Sequence, residues 1–588
     1  AVIAAGGVSP VSLSLDSGTL PAGLSFNQLQ LSGTPTTANS YSFTIRATDA
    51  SGRAINRAYT MNVVNPPAFA LSSPLPTATI NSAYSQTFIT DGLKPYSINF
   101  TNGTSLPGGL TLGTDGIISG TTTAAAGTYS FSVVIADANA DIISGTFSIT
   151  VVAPFQAVPA VKWSKVYGST SGSADYYETA TKIIPVSGGG YLVVGHVSGA
   201  NGTVTGTHGG GQNDVWIIRI NDLGEISWQA IYGGAANDEA YGVVQTDDNN
   251  FLVVGTTNSS SGTLAAANGS YDSFAMKVSS TNGSIIWSKV YGGTGIDKFL
   301  AVSKMVLPEP GILVAGTTTS QDGDLSSAGV HYYPDRPDAW VARLDPANGN
   351  ILWQKAYGGT YNDEAQALEI DGSGNIYIAG LSSSTDGDRA SGAVAGNGIG
   401  VSDVWVLKLD HTSINFGNIV WQKSYGGSSS DQAHGMKVAN NGVIIVTGET
   451  ASSEVSGYHS GTDLWMGKIG QDGTLLWQRA FGGTFQEQGF DVQFFADGSY
   501  LAVGAAGSSD GDVQGAYGNW DAWMLKVDTT GAVLNWQKPY GGANSEKFRS
   551  VVLVNDLLTV VGTTNSSSND LNGLRSTTDY DWWMVQFQ

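Results

Sequence analysis

Short runs in which apolar and polar residues alternate dominate the chain after Trp163. Runs such as FLVVG (251–255) and DVWVLKL (403–409) are rich in β-branched and aromatic residues and are bounded by Gly, Asn, Asp and Ser. Alternation with a period of two is typical of β-strands, because successive side chains point to opposite faces. No stretch with a period of 3.6 residues is long enough for a helix. The pattern therefore predicts an all-β protein whose strands are joined by turns.

One phrase recurs seven times: a Trp, then Tyr or Phe four residues later, then Gly. Its tryptophans are Trp163, Trp228, Trp287, Trp353, Trp421, Trp477 and Trp536. Each repeat carries four strand signals, and seven repeats of four strands predict a seven-bladed β-propeller over residues 161–588. The region begins with a lone fourth strand at 161–167 and ends after a third strand at 581–587. We therefore expect strand 161–167 to complete the last blade and close the ring.

The segment GGTYNDEAQALEIDGSGNIYIAG (358–380) resembles the bacterial beta-propeller repeat (SBBP-type) found in large secreted and surface proteins. The resemblance covers the repeat region and implies the propeller fold. It implies little about function, because such repeats serve many roles.

Residues 1–154 contain two copies of a different unit. LPAGLSFNQLQLSGTPTTANSYSFTIRATDASG (20–52) is similar to LPGGLTLGTDGIISGTTTAAAGTYSFSVVIADANA (106–140). Both resemble the putative-Ig and dystroglycan-type cadherin-like modules, which are β-sandwiches. The resemblance predicts modules at 1–65 and 66–154, with 155–160 as a linker.

The first of these modules lacks a counterpart of AFALSSPLPTATINSAYSQ (68–86), and so lacks its first strand. One interpretation is that the chain is a fragment with further modules upstream. The other is that a sister subunit donates the missing strand and so builds a polymer. The sequence is compatible with both interpretations.

Composition narrows the class of partner and the location. The chain carries 26 basic and 48 acidic residues, a formal net charge of −22, and no cysteine. This charge predicts no nucleic-acid partner, and the absence of a long apolar window predicts no membrane insertion. Without cysteine, disulfides and thiolate metal sites are excluded. A Ser/Thr/Asn/Gly-rich acidic chain of this size fits an extracellular or cell-surface location.

An Asp-x-Trp or Asp-x-Phe motif begins the third strand of every repeat. A motif present in all blades is typical of a scaffold, so we expect its Asp residues to cap loop amides and its aromatic residues to pack between blades. The Asp residues are Asp214, Asp272, Asp338, Asp403, Asp463, Asp521 and Asp581. Together with the acids that begin the first strands and the acids of a recurring Asp-Gly-Asp, they predict an acidic face.

A recurring Asp-Gly-Asp in the loop before the third strand is the one candidate metal site. Clustered carboxylates suit Ca²⁺, which takes six to eight oxygen ligands. The candidates for structural calcium are Asp322, Asp324, Asp386, Asp388, Asp510 and Asp512. The alternative is turn chemistry, in which Gly takes a positive φ and Asp caps amides. We expect no other cofactor.

Candidate ligand-binding residues lie in loops that differ between repeats. The most distinctive cluster combines aromatic, acidic and basic residues after position 330, and exposed aromatics are expected on two further loops. These candidates are His331, Tyr332, Tyr333, Asp335, Arg336, Tyr458 and Trp520. The simple alternative is a longer decorated loop. His196, which follows a strand-two glycine, is a candidate for lining one face.

Taken together, these features favour an extracellular structural or adhesive protein, such as a fibre, surface-layer or adhesin component, and not an enzyme. The sandwich modules would form a stalk or polymer contact, and the propeller a rigid head that binds a surface glycan or a sister subunit. The alternative is a secreted polysaccharide-binding or polysaccharide-degrading enzyme. That alternative predicts an asymmetric pocket near the propeller axis with perturbed carboxylates or histidines.

Overall fold

The computed structural model contains two compact units, Ala1–Pro154 and Phe155–Gln588. It describes residues 6–27, 29–76, 78–80, 83–125, 127–152, 158–169, 178–199, 202–205, 213–264, 269–305, 311–331, 333, 335–391, 402–412, 414–531, 534–571 and 579–588. Within these ranges the regular structure is β-strand, with three 3-10 turns at Gly323–Ser327, Gly387–Ser391 and Asn569–Leu571. The described residues include no helix long and apolar enough to cross a lipid bilayer.

The first unit has two halves of related topology. In the first half, Ser12–Gly18, Asn39–Thr48 and Ala54–Val63 form one antiparallel sheet, and Leu24–Asn27 pairs with Gln30–Gly33. The second half has a sheet ordered Ser97–Thr101, Gly127–Ala136, Ile142–Val152 and Ala78–Thr79, a sheet ordered Leu110–Leu112, Ile117–Thr121 and Ala83–Thr87, and the pair Ala68–Phe69 with Ile89–Thr90.

The two halves differ in how much core they enclose. In the second half, Phe88, Phe131 and Phe147 pack ring against ring within a large buried cluster. In the first half, only Phe43 and Ile45 are buried among the described hydrophobic residues. The described part of the first half has no counterpart of the strands Ala78–Thr79 and Ala83–Thr87. Its Gln30–Gly33 strand therefore keeps one unpaired edge.

The second unit consists of seven four-stranded antiparallel sheets, numbered I to VII here. Their strands, in order, are Thr179–Pro185, Tyr191–Val197, Asp214–Ile220 and Ile226–Tyr232 (I); Asp238–Gln245, Phe251–Thr257, Asp272–Val278 and Ile285–Tyr291 (II); Asp297–Met305, Gly311–Thr318, Asp338–Leu344 and Ile351–Tyr357 (III); Asp363–Ile370, Ile376–Ser382, Asp403–Leu409 and Ile419–Tyr425 (IV); Asp431–Val438, Ile444–Thr450, Asp463–Ile469 and Leu475–Phe481 (V); Glu487–Phe494, Tyr500–Ala506, Asp521–Val527 and Leu534–Tyr540 (VI); Glu546–Val554, Leu557–Thr564, Asp581–Phe587 and Val161–Tyr167 (VII).

Sheet VII is assembled from both ends of this unit. Strand Val161–Tyr167 pairs antiparallel with Asp581–Phe587, as the repeat pattern predicts. The first strands of successive sheets lie side by side, and Thr179–Pro185 neighbours both Asp238–Gln245 and Glu546–Val554. The order of neighbours therefore returns from sheet VII to sheet I.

The recurring Trp or Tyr of the fourth strand hydrogen-bonds its sheet to the next in sheets I to V and VII, whereas Trp536 Nε1 and the Tyr540 hydroxyl of sheet VI have no hydrogen-bond partner among the described residues. Trp287 Nε1 donates to the carbonyl of Pro346 (3.3 Å), and the Tyr291 hydroxyl donates to the carbonyl of Gly349 (2.7 Å), both in a turn of sheet III. In sheet VII, Trp163 Nε1 donates in the same way to Asp222 of sheet I (3.1 Å). Because a buried indole or phenol needs a partner, the phrase that repeats in the sequence is an inter-sheet contact.

Candidate functional site

The acids of the Asp-x-Trp motif lie inside the protein and accept hydrogen bonds from loop amides. Asp463 accepts from the backbone N–H of His459 (2.7 Å), and Asp521 from the N–H of Tyr517 (2.8 Å). The motif tryptophans are buried, and Trp340 Nε1 donates to Gln354 of its own sheet (3.1 Å). All seven of these Asp residues are buried, and so are the acids that begin the first strands of sheets II to VII, so neither set contributes to the predicted acidic face. Asp322, Asp386 and Asp510 of the Asp-Gly-Asp loops, which the prediction also included, are exposed.

These buried acids come together in pairs around a glycine. A Cβ on Gly358 would lie 2.4 Å from Asp338 Oδ1 and 2.6 Å from Asp363 Oδ2, and its φ is +156°, so only glycine fits. Burial, and next the charge of Asp363, raise the pKa of Asp338 to about 8. Gly482 separates Asp463 and Glu487 in the same way. Two carboxyls this close in a low-dielectric site do not both ionise at neutral pH.

The Asp-Gly-Asp loops behave as capped turns. Asp322 accepts from the N–H of Thr294 (2.7 Å), Asp386 from Thr360 (2.8 Å) and Asp510 from Thr484 (2.8 Å). The intervening glycines have φ near +60°. The described residues hold no group of three or more His, Cys, Asp or Glu placed to share a metal ion.

The second acid of each loop lies beside the Gly-Gly turn. Asp324 accepts from the N–H of Gly292 (3.2 Å) and Asp512 from Gly482 (3.4 Å), whereas the backbone N–H of Asp388 donates to the carbonyl of Gly358 (2.9 Å). These bonds give the six acids a structural role, and calcium binding by them stays a prediction.

The predicted ligand loop of sheet III is held by its own contacts. The Arg336 guanidinium lies between the rings of Tyr333 (4.4 Å) and Tyr361 (4.2 Å) and donates to the carbonyl of Thr360 (3.0 Å). Asp335 has a φ of +61° at the turn. Because the cation of this loop is already sandwiched, the loop offers mainly the exposed face of Tyr333.

The other predicted ligand residues are dispersed. His331 lies beside Asp338, Nδ1 being 3.4 Å from the carboxylate, and Tyr332 lies outside the described residues. The Tyr458 hydroxyl donates to Gly461 (3.1 Å) within its own loop. Trp520 differs from these, since the Lys547 ammonium lies 4.5 Å from its ring centroid. Lys547 in turn interacts electrostatically with Arg549, which lines a central pocket that the sequence interpretation did not name.

This central pocket has a volume of about 420 Å³ and is lined by residues from all seven sheets. In sheets II to VII, one lining residue is the third after the acid that begins the first strand. Its lining residues are Thr179, Thr181, His196, Glu239, Tyr241, Leu300, Gln366, His434, Phe490 and Arg549. The same strand position therefore carries a different side chain in each sheet, and the pocket is asymmetric although the scaffold repeats.

The carboxylates around the central pocket have neutral hydrogen-bond donors. Glu239 accepts from the Tyr241 hydroxyl and from Asn213 Nδ2 (3.1 Å). Glu364 accepts from Gln366 Nε2 (2.6 Å). Burial raises the pKa of Glu364 and that of the Tyr241 phenol, so the phenol keeps its proton at neutral pH.

Two histidines face the central pocket as neutral imidazoles. Burial lowers the pKa of both His196 and His434. His196 Nδ1 and His434 Nε2 are buried and have no hydrogen-bond partner among the described residues. Because a buried polar nitrogen without a partner is costly, these atoms point to a hydroxyl-bearing or water ligand.

A charged network is formed by residues that directly follow the pocket residues on three of the first strands. Asp491 Oδ2 accepts from Lys182 Nζ (3.0 Å), from Ser550 Oγ (2.8 Å) and from the N–H of Val551 (3.1 Å). Lys437 pairs with Glu369 and also lies near Asp491. Burial alone would raise the pKa of Asp491, but Lys182 and Lys437 hold it below its usual value. This network joins sheets I, IV, V, VI and VII.

Sequence reasoning missed Tyr241, His434, Phe490 and Arg549. The signal that could have found them is variation at one fixed position of an otherwise regular repeat: the seven first strands, aligned on their leading acid, show Thr, Tyr, Leu, Gln, His, Phe and Arg at the third following residue. A scaffold position that points into a shared cavity is free to differ from sheet to sheet.

No curated protein matches the chain. A Dyadobacter fermentans protein of unknown function is 10% identical over 73% of this chain and 99% of its own, with a TM-score of 0.38. An endo-fucoidan hydrolase of glycoside hydrolase family 107 is 26% identical over 24% of this chain and 27% of its own (TM-score 0.16).

Cadherin domains 1–4 of protocadherin gamma B7 are 11% identical over 46% of this chain and 66% of their own (TM-score 0.16). The family model described as "Putative Ig domain" matches residues 2–64 and 66–152. The first unit therefore consists of two Ig-like domains, in an all-β chain.

Proposed function

We propose that the seven sheets of the second unit are the blades of a β-propeller of the bacterial SBBP-type repeat. Three observations support this: every sheet has four antiparallel strands, the first strands follow one another back to sheet I, and sheet VII is completed by Val161–Tyr167. Completing the last sheet with a strand from the other end of the repeat region removes a free edge, as closed propellers require.

On this architecture the chain is an extracellular adhesive protein in which the Ig-like domains act as spacer and the propeller as binding head. The ligand we propose is a carbohydrate held in the central pocket. The observation that carries this is the pocket itself: where the repeats diverge, they bring neutral imidazoles, a phenol, amides and aromatic rings to one cavity. Such a set suits the hydroxyl groups and ring faces of a sugar.

Replacing Tyr241 by Phe should weaken glycan binding about three- to tenfold, because one neutral hydrogen bond is lost. The measurement is a glycan array followed by isothermal titration calorimetry of the full chain with the strongest hit. Tyr291→Phe is the matched control, since Tyr291 lies in the same sheet but bonds to Gly349 away from the pocket. An array without any hit, or hits that Tyr241→Phe leaves unchanged, would contradict the carbohydrate ligand.

A polysaccharide-degrading enzyme is the second candidate function, and one observation favours it. Tyr241 and His196, each in electrostatic contact with Glu239, place a proton donor and a neutral proton acceptor in one pocket. The same titration mixtures, analysed by size-exclusion chromatography, separate the candidates. Shortened products that disappear in His196→Gln would establish the enzyme, whereas an intact glycan establishes the binding head.

For the first Ig-like domain we propose strand addition from a sister subunit. Its strand Gln30–Gly33 has an open edge at the place where Ala83–Thr87 pairs in the second domain, and its core is small. A synthetic peptide with the sequence of residues 78–90 should occupy this edge and shorten any filaments seen by negative-stain electron microscopy. A scrambled peptide is the control. Monodisperse monomers with and without the peptide would contradict strand addition.

A further inference from the structure

We infer that Arg549, with Lys547 beside it, binds the carboxylate of an acidic sugar in the central pocket. This inference rests on the proposed carbohydrate ligand and narrows it to glycans that contain uronic acid. Neither residue is among the basic residues that recur in the third and fourth strands of the repeats, and both lie on the first strand of sheet VII.

The guanidinium of Arg549 is stacked on an aromatic ring and partly buried. Its guanidinium lies 4.1 Å from the centroid of the Phe490 ring, and its Nε is buried without a hydrogen-bond partner among the described residues. Stacking on an aromatic ring satisfies one face of the cation but none of its N–H donors. A partly buried guanidinium with an unsatisfied N–H donor can bind an anion, which supplies the hydrogen-bond acceptor.

None of the carboxylates around the pocket accepts a hydrogen bond from Arg549 among the described residues. Glu239 and Glu364 are held by Tyr241, Asn213 and Gln366. Glu449 accepts from Gln432 and from Gln488 Nε2 (2.9 Å), which are again neutral donors. Lys298 attracts Glu239 and Glu364 electrostatically. Among the described residues, none of these acids forms an ion pair with Arg549.

A second cation, Lys547, lies beside Arg549; its hydrogen bond is to a neutral group, and Glu449 acts on it electrostatically. Lys547 Nζ donates to Gln488 Oε1 (3.2 Å) and lies over the Trp520 ring. Burial, and then the neighbouring Arg549, lower the pKa of Lys547 to about 8. Two adjacent cations that destabilise each other are both stabilised when one anion binds between them.

The shape of the donor group favours a carboxylate. A guanidinium presents two parallel N–H donors that match the two oxygens of a planar carboxylate. His434, whose ring centroid lies 5.6 Å from that of Phe490, is placed to meet sugar hydroxyls next to the acid. A uronate combines both groups in one residue.

The test is isothermal titration calorimetry of the full chain with uronate trisaccharides from pectin, alginate and glucuronan, and with the same trisaccharides after carboxyl reduction. We expect at least one uronate to bind, its reduced form to bind about tenfold or more weakly, and Arg549→Met to weaken the uronate about ten- to a hundredfold. Lys547→Gln, which keeps the stem length, should give a smaller loss.

Arg57→Met is the matched control, because the Arg57 guanidinium also lies over an aromatic ring (5.5 Å from Tyr59) but in the first Ig-like domain. Circular dichroism melting shows whether each variant is folded. Three results would overturn the inference but not the carbohydrate ligand. They are neutral glycans that bind as tightly as uronates, sulfated sugars that bind more tightly than uronates, and folded Arg549→Met and Lys547→Gln variants that bind uronates as tightly as the natural protein. No binding of any saccharide would overturn both.

Discussion

Replacing Asp491 by Ala should lower the free energy of unfolding of the second unit by about 3–5 kcal/mol. Asp491 is 3% exposed and accepts three hydrogen bonds from sheets I and VII through one oxygen. Its removal leaves Lys182 without its carboxylate and Lys437 with one counter-charge fewer in a buried place. Urea-induced unfolding, followed by tryptophan fluorescence, measures the change.

Asp247→Ala is the control for this experiment. Asp247 also pairs with a first-strand lysine, Lys304 (2.7 Å), but it is 73% exposed, so its loss should cost less than about 1 kcal/mol. Asp491→Asn should fall between the two, since the amide oxygen still accepts hydrogen bonds. Equal losses for Asp491→Ala and Asp247→Ala would show that the network contributes no more than a surface ion pair.

The stability of the second unit should fall as the pH rises from about 4 to about 8, and Asp338→Asn should remove part of that fall. The pKa of Asp338 is about 8 in the folded protein, whereas the ordinary pKa of an aspartate side chain is 3.8. The folded state therefore binds one proton more than the unfolded state within this window, so each increase in pH favours unfolding. Asn resembles the protonated acid and should make the variant more stable than the natural protein above pH 8, by on the order of 2 kcal/mol.

The measurement is the urea midpoint between pH 4 and pH 9. Asp322→Asn is the control: the N–H of Thr294 lowers the pKa of the exposed Asp322, so its contribution changes only as the pH falls below the ordinary aspartate pKa of 3.8. Between pH 4 and pH 9, Asp322→Asn should therefore leave the slope of stability against pH as it is in the natural protein. If natural protein and Asp338→Asn lose stability in parallel from pH 4 to pH 9, Asp338 is ionised in the folded state and its pairing with Asp363 needs another explanation.

Much of the strand arrangement could be predicted because apolar and polar residues alternate along the strands of each repeat, and Gly, Asn and Asp stand at the strand ends. Strand Val161–Tyr167 is the clearest case, since a fourth strand without its own repeat has one place to pair. The Ig-like domains could be predicted from the similarity of residues 20–52 to 106–140.

The central pocket could not be predicted in the same way. Its residues are contributed by seven strands far apart in the sequence, and each looks like an ordinary strand residue among neighbours such as Ala240 or Ala433. The strand-start acids of the predicted acidic face were misplaced for a related reason: spacing locates Asp338 and Asp363 at strand starts, but the sequence does not show that their side chains are buried and cap amides. The distinctive Arg336 loop was misleading because its cation is satisfied by two tyrosines.

The pairing of the two ends of the second unit has a mechanical consequence. Ala160 and Gln588 exchange backbone hydrogen bonds (3.2 and 3.0 Å) next to the antiparallel pair of Val161 and Phe587. A tension applied between these two residues separates the antiparallel pair one residue pair at a time, starting at Val161 and Phe587. As the strand peels away, it also breaks the bonds of Trp163 and Tyr167 to sheet I. A pull transmitted through Ala160 alone would instead act on the anchorage of a single strand.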